Sequence, residues 1–140
     1  MEEIHFFKED CNFDLRKLKK HKSWLNQLAI AYDYEILELN YIFCSDEYLH
    51  KINLEYLNHD TYTDIITFDL QEEVGQNIQS DIFISIHRIT ENAKKLNIAF
   101  TKELTRVMAH GLLHLIGFKD KTDSEKKEMR LAEDKALELL

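Results

Sequence analysis

The sequence predicts a single α+β domain, residues 1–140, in which a mixed sheet of about four strands packs with about five helices. Three observations point there. A chain of 140 residues, 44% of them hydrophobic, has the length of one domain and enough apolar material for one ordinary core. As far as residue 85, β-branched and aromatic runs alternate with stretches of helical periodicity, and beyond it the apolar pattern is helical throughout. No internal repeat, low-complexity tract or linker divides the chain.

The run "IHFF" opens the first strand. From Asp14 to about Tyr32, Leu15, Leu18, Leu25, Leu28 and Ala29 recur at helical spacing. "EILELNYIFC" alternates at period two and forms the second strand. Ser45 then caps a helix reaching about Tyr56, with Asp46 and Glu47 in its first turn, where the helix dipole favours acids. "DIITFDL" and "SDIFISI" are β-branched and aromatic, separated by a polar loop containing Gly75, and are expected to pair as a long-looped hairpin. Three helices follow, from about Ser85 to Leu96, from Thr101 to about Ile116, and from Asp123 to the C-terminus, with Thr101 and Asp123 as N-caps.

Bulk properties narrow the function. Cys11 and Cys44 are too few and too far apart for a disulfide framework or a paired-cysteine zinc site, and read as buried thiols. No apolar run approaches the roughly 18 residues of a membrane span, and the start "MEEIHFFKED" is acidic where a secretory signal is basic, so a cytoplasmic protein with no membrane partner is expected. A net charge of −8 runs against the basic excess of most nucleic-acid-binding surfaces. Its distribution is uneven. Between His87 and Lys121 seven Lys/Arg face three acids, a local +4 that leaves −12 elsewhere.

The basic segment ends in "HGLLHLIGFKD", residues 110–120, which holds two of the chain's three glycines. Residues four apart on a helix differ by only about 40° around its axis, so His110 and His114 project from one face on adjacent turns. They can share one metal ion, in the manner of the zinc-binding His-x-x-x-His pairs of metallohydrolases. Gly117 can take the left-handed conformation that ends a helix, which would return Asp120 toward the histidines as a third ligand. Gly111 would leave room for a backbone or a substrate to approach. Two histidines at this spacing also suit a plain solvated face. Zinc peptidases of the H-E-x-x-H type carry their general base where Gly111 stands, which disfavours ordinary peptidase chemistry. Glu103, seven residues before His110, can orient a histidine, or serve simply as a solvated or capping glutamate.

These residues resemble the YbeY family of bacterial endoribonucleases involved in ribosomal RNA maturation. Its signature H-G-x-L-H-L-x-G-Y-D-H is matched at His110, Gly111, Leu113, His114, Leu115 and Gly117, with Phe118 in the aromatic position. Upstream, "NLEYLNHDTYTDIITF" is similar to the family's N-x-x-Y-R and T-D-V-L-S-F segments at Asn53, Tyr56, Thr63, Asp64 and Phe68. Asp81 and Ile82 match its G-D-I strand.

The resemblance implies one Zn2+ ion and a single-strand-specific, metal-dependent endoribonuclease acting in small-subunit (16S) rRNA maturation and ribosome quality control. Ribosomal RNA and the small ribosomal subunit would be its partners. It also implies that Asn53 and Asp64 lie near the cleft, although alone they read as a polar helix position and a turn or cap residue. Two departures stand out. The family's third histidine falls on Asp120, and its arginine after the tyrosine falls on Leu57, which cannot fork onto a phosphate. Arg106 and Lys119 are the cations that could replace it. The rival readings are a zinc hydrolase of peptide or ester bonds and a non-catalytic ribosome-assembly factor with a structural metal. His5, His21, His50, His59 and His87 lack ligand spacing and are read as bystanders.

Overall fold

A computed structural model describes residues 3–58, 63–70 and 77–140. The strands are β1 (Ile4–Glu9), β2 (Glu35–Cys44), β3 (Ile65–Asp69) and β4 (Asn77–Ser85). The helices are α1 (His21–Ala31), α2 (Asp46–Leu57), α3 (Ile86–Leu96), α4 (Phe100–Ile116) and α5 (Asp123–Glu138). The predicted α+β class and its element counts therefore hold among the described residues.

The strands join in one sheet of order β1-β2-β4-β3. β1 and β4 both run parallel to β2, and β3 is antiparallel to β4, so the expected hairpin makes the sheet mixed. Gly75 and the rest of the hairpin loop's first part lie outside the described residues. β2 does not keep strict alternation along its length. Its inward residues are Ile36, then Leu39, Tyr41 and Phe43, and the register slips between Ile36 and Glu38, where one extra residue shifts which face later side chains occupy.

Three boundaries differ from the sequence reading. The apolar period beginning at Asp14 splits into a 3-10 turn, Leu15–Leu18, and α1, with the Asp14 carboxylate accepting from the Arg16 N–H. Ala99, not Thr101, occupies the N-cap of α4 and makes no side-chain cap bond. Thr122, not Asp123, caps α5, in a reciprocal box with Glu125 that satisfies two otherwise unpaired N–H groups.

The core lies between the sheet and α1, α4 and α5. Trp24 donates its indole N–H to the Ala136 carbonyl at 2.7 Å, and Tyr41 donates its hydroxyl to Met108 O at 2.8 Å. α4 runs through this core with Leu104, Met108, Ala109, Leu112 and Leu113 fully enclosed. Gly111 is where it presses closest to the sheet. A Cβ there would sit 3.0 Å from Ile65 Cδ1 and 3.1 Å from Ile82 Cδ1, so the missing side chain admits β3 and β4 rather than a substrate. That corrects the role expected for this glycine.

Candidate active site

α4 carries His110 and His114 to its C-terminal end, where Gly117 stops it at φ +125°. The Gly117 N–H donates to the carbonyls of Leu113 and His114, and the Phe118 N–H donates to Leu113 O, closing the last turn as the chain reverses. The reversal returns Asp120, whose Oδ2 lies 3.4 Å from His110 Nε2. Two atoms bound to one tetrahedral zinc at about 2.0–2.2 Å lie roughly 3.3–3.5 Å apart, so these two stand at ligand-pair spacing. His114 is exposed one turn further on. Among the described residues, no group of three or more His, Cys, Asp or Glu side chains stands close enough together to hold a metal ion, so His110 and Asp120 are at ligand spacing as a pair and His114 would have to turn toward them.

The three residues share an open cleft of about 450 Å³ with Asn53 and Leu57 from α2 and with Thr63, Asp64, Ile65, Ile66 and Thr67 along β3 and its approach. Asn53 and Asp64, which the resemblance put near the cleft, are among these lining residues. No lysine or arginine is among these described lining residues. Burial pushes the Asp64 carboxyl above its usual range, and Asn92 Nδ2 donates to it at 3.5 Å.

Asp64 faces a histidine that is held from two sides. His110 Nδ1 lies 2.8 Å from Glu133 Oε2 on α5, and this contact, reinforced by the charges of Glu133, Asp120 and Asp64, raises the imidazole's pKa against the effect of burial.

Two expected roles are redistributed. Arg106 is no free phosphate contact. It is only 9% exposed, and it donates to Glu133 Oε1 at 3.0 Å and Asp134 Oδ1 at 2.7 Å. Glu103 does not orient a histidine; its Oε1 is buried with no hydrogen-bond partner among the described residues, and burial raises its pKa. Glu133 has taken the place foreseen for Glu103. Its signal was present in the sequence, since an acid at position 133 falls on the buried stripe formed by Met129, Ala132 and Ala136.

Lys119 is exposed in the turn but lines a separate cavity with Tyr32, Tyr34 and Phe118. Leu57 does line the cleft, 40% exposed, where a guanidinium would have reached it. Among the bystanders, His21 is buried against Thr105 and His87 accepts from the Asp46 N–H; His59 lies outside the described residues.

Fold and cleft together define a class: a one-sheet α+β domain with histidines and carboxylates collected between a helix and the strand it packs on. The chain belongs to the family described as Endoribonuclease YbeY, matching it over residues 3–140. A Cytophaga hutchinsonii protein of that name is 55% identical over 138 residues, spanning 99% of this chain and 96% of its own. A Flavobacterium johnsoniae protein of the same name is 48% identical over 131 residues, covering 94% and 93%. In three dimensions the chain matches a Thermotoga maritima protein solved in solution with TM-score 0.71 at 28% identity, over 97% of this chain and 87% of the other.

Proposed function

We propose that this protein is a zinc-dependent endoribonuclease that cuts single-stranded segments of small-subunit ribosomal RNA during maturation and quality control in the cytoplasm. Family membership supports the nuclease activity and the RNA substrate. The zinc reading is carried by one observation, the 3.4 Å between His110 Nε2 and Asp120 Oδ2 at the end of a helix that presents His114 one turn on.

Electrostatics favour the same reading. A phosphodiester entering the cleft meets Asp64 and Asp120 with no lysine or arginine among its described lining, while Arg106 and Arg130 line the adjoining cavity beside Glu133, so a cation held in the cleft itself would offset the repulsion of the two carboxylates. His110, His114 and Asp120 would hold that cation, two neutral imidazoles and a carboxylate being a donor set zinc accepts. The chemistry zinc supplies when bound is polarisation of a phosphoryl oxygen and acidification of water near neutral pH.

The chain itself contributes position. Gly117 fixes the return of Asp120, and β3 with the residues leading into it supplies the opposite wall, where the hydroxyls of Thr63 and Thr67 can meet ribose and phosphate oxygens. With Leu57 in the wall, RNA is gripped there without a forked cation.

The test pairs elemental analysis with RNA cleavage by highly purified wild type, His114→Ala and Asp120→Ala. About one zinc per chain, lost together with cleavage in both variants, is the expected outcome. Equal cleavage by all three would assign the activity to a contaminating nuclease and defeat the proposal. The cleaved ends distinguish water as nucleophile from the ribose 2′-hydroxyl, which leaves a cyclic phosphate.

A further inference from the structure

His110 is the residue on which the site turns, and its far side is built from another helix. Glu133 is 5% exposed in the packed face of α5, and its two carboxylate oxygens have different partners. Oε1 accepts from Arg106 Nη1 at 3.0 Å, while Oε2 lies 2.8 Å from His110 Nδ1. Arg106 and His110 are four residues apart, so both reach α5 from one face of α4. Arg106 is itself held by Asp134 through Nη2. The guanidinium can only donate, so Oε1 is committed as an acceptor and the carboxylate plane is fixed.

A neutral imidazole carries one proton, on one of its two nitrogens. Both nitrogens face a carboxylate oxygen, Nδ1 that of buried Glu133 at 2.8 Å and Nε2 that of half-exposed Asp120 at 3.4 Å, so the shorter, more enclosed contact draws the proton to Nδ1 and leaves the lone pair of Nε2 toward Asp120 and the cleft. The opposite tautomer would set two lone pairs against each other at 2.8 Å and point N–H at the site. From Arg106 outward, therefore, each hydrogen bond selects the next.

We propose that Glu133, clamped by Arg106, is a positioning residue for the cleft: it sets the tautomer and ring orientation of His110 so that Nε2 presents an unprotonated lone pair. The proposal rests on the zinc reading above for its functional consequence, but not for its geometry. It concerns a residue beyond the cleft lining, on a helix that supplies no ligand.

The decisive variant is Glu133→Gln. Its side-chain oxygen is claimed by Arg106, so its NH2 turns toward His110 and donates. Nδ1 must then accept, the proton moves to Nε2, and the nitrogen facing Asp120 becomes a donor. Long-range 1H–15N NMR of the full chain at mildly alkaline pH reads the tautomer directly. Nδ1–H is expected for His110 in wild type and Nε2–H in Glu133→Gln, with zinc affinity measured by chelator competition falling about 10–100-fold in the variant.

Nε2–H in the wild type overturns the proposal without any need for the variant to fold. So does a folded Glu133→Gln that keeps the wild-type tautomer and zinc affinity. Failure of the zinc reading has a different signature: wild type and His114→Ala would then bind zinc equally weakly, and the tautomer measurement would still decide the role of Glu133.

Discussion

Gly117 is held at φ +125°, ψ −2°, sparsely populated backbone that an L-residue with a Cβ adopts only at a cost of about 1–3 kcal/mol. No atom lies within 4 Å of where its Cβ would be, so the cost is conformational and not a clash. Gly117→Ala should lower stability by about that amount in urea unfolding and weaken zinc binding as well, because relaxation of the turn carries Asp120 away from His110. An unchanged zinc affinity would separate the turn from the site. The return of Asp120 to His110 was legible in the sequence, since the histidine, a helix-ending glycine and the carboxylate are local and spacing determines how they meet. Glu133 was not legible in that way. It lies 23 residues from His110, and only the packing of α5 on α4 brings them together. Helical spacing placed Glu103 on the same side of α4, but which acid reaches a histidine is decided by what packs across from it. The same packing consumed Arg106, whose sequence position gave no sign of two carboxylate partners.

At the scale of elements, α5 must form fully for Glu133 to stand opposite His110, and its start is secured by the Thr122–Glu125 box. Thr122→Ala removes an acceptor from the Glu125 N–H and should cost about 1 kcal/mol, read as a lower urea midpoint. Faster amide exchange should be confined to the first turn of α5. Ends of elements were the least legible feature of the sequence. Thr101 and Asp123 both have the chemistry of an N-cap, yet each lies inside its helix, because a cap is chosen by where the preceding chain leaves its contacts. Ser45 was legible since it stands between a completed strand and an acidic first turn, and its hydroxyl accepts from the Tyr48 N–H as expected.

Across the whole molecule, the alternating runs announced four strands but not their order. Two parallel pairings, β1 with β2 and β2 with β4, need helical crossovers, and only tertiary packing places β4 between β2 and β3. His21 ties this assembly together, joining α1 to Thr105 of α4 at 2.9 Å while only 9% exposed. Burial holds its pKa below the usual 6.5, so the folded protein resists a proton that the unfolded chain accepts. Stability attached to this group is therefore complete above about pH 6.5 and is lost as pH falls toward the lowered folded value. His110, with its raised pKa, acts in the opposite sense, so the difference between wild type and His21→Gln isolates the effect. The urea midpoint of His21→Gln should fall less than that of wild type between about pH 7 and pH 5; parallel curves would refute the assignment.

With α4 resting on the methyl ends of Ile65 and Ile82, the two jaws of the cleft meet at atomic contact just behind its mouth. Ile65 also lines the cleft, so the hydrocarbon that seats α4 on the sheet forms part of the wall an entering strand would meet, and trimming Ile65 or filling position 111 would reshape that wall without altering a single polar group.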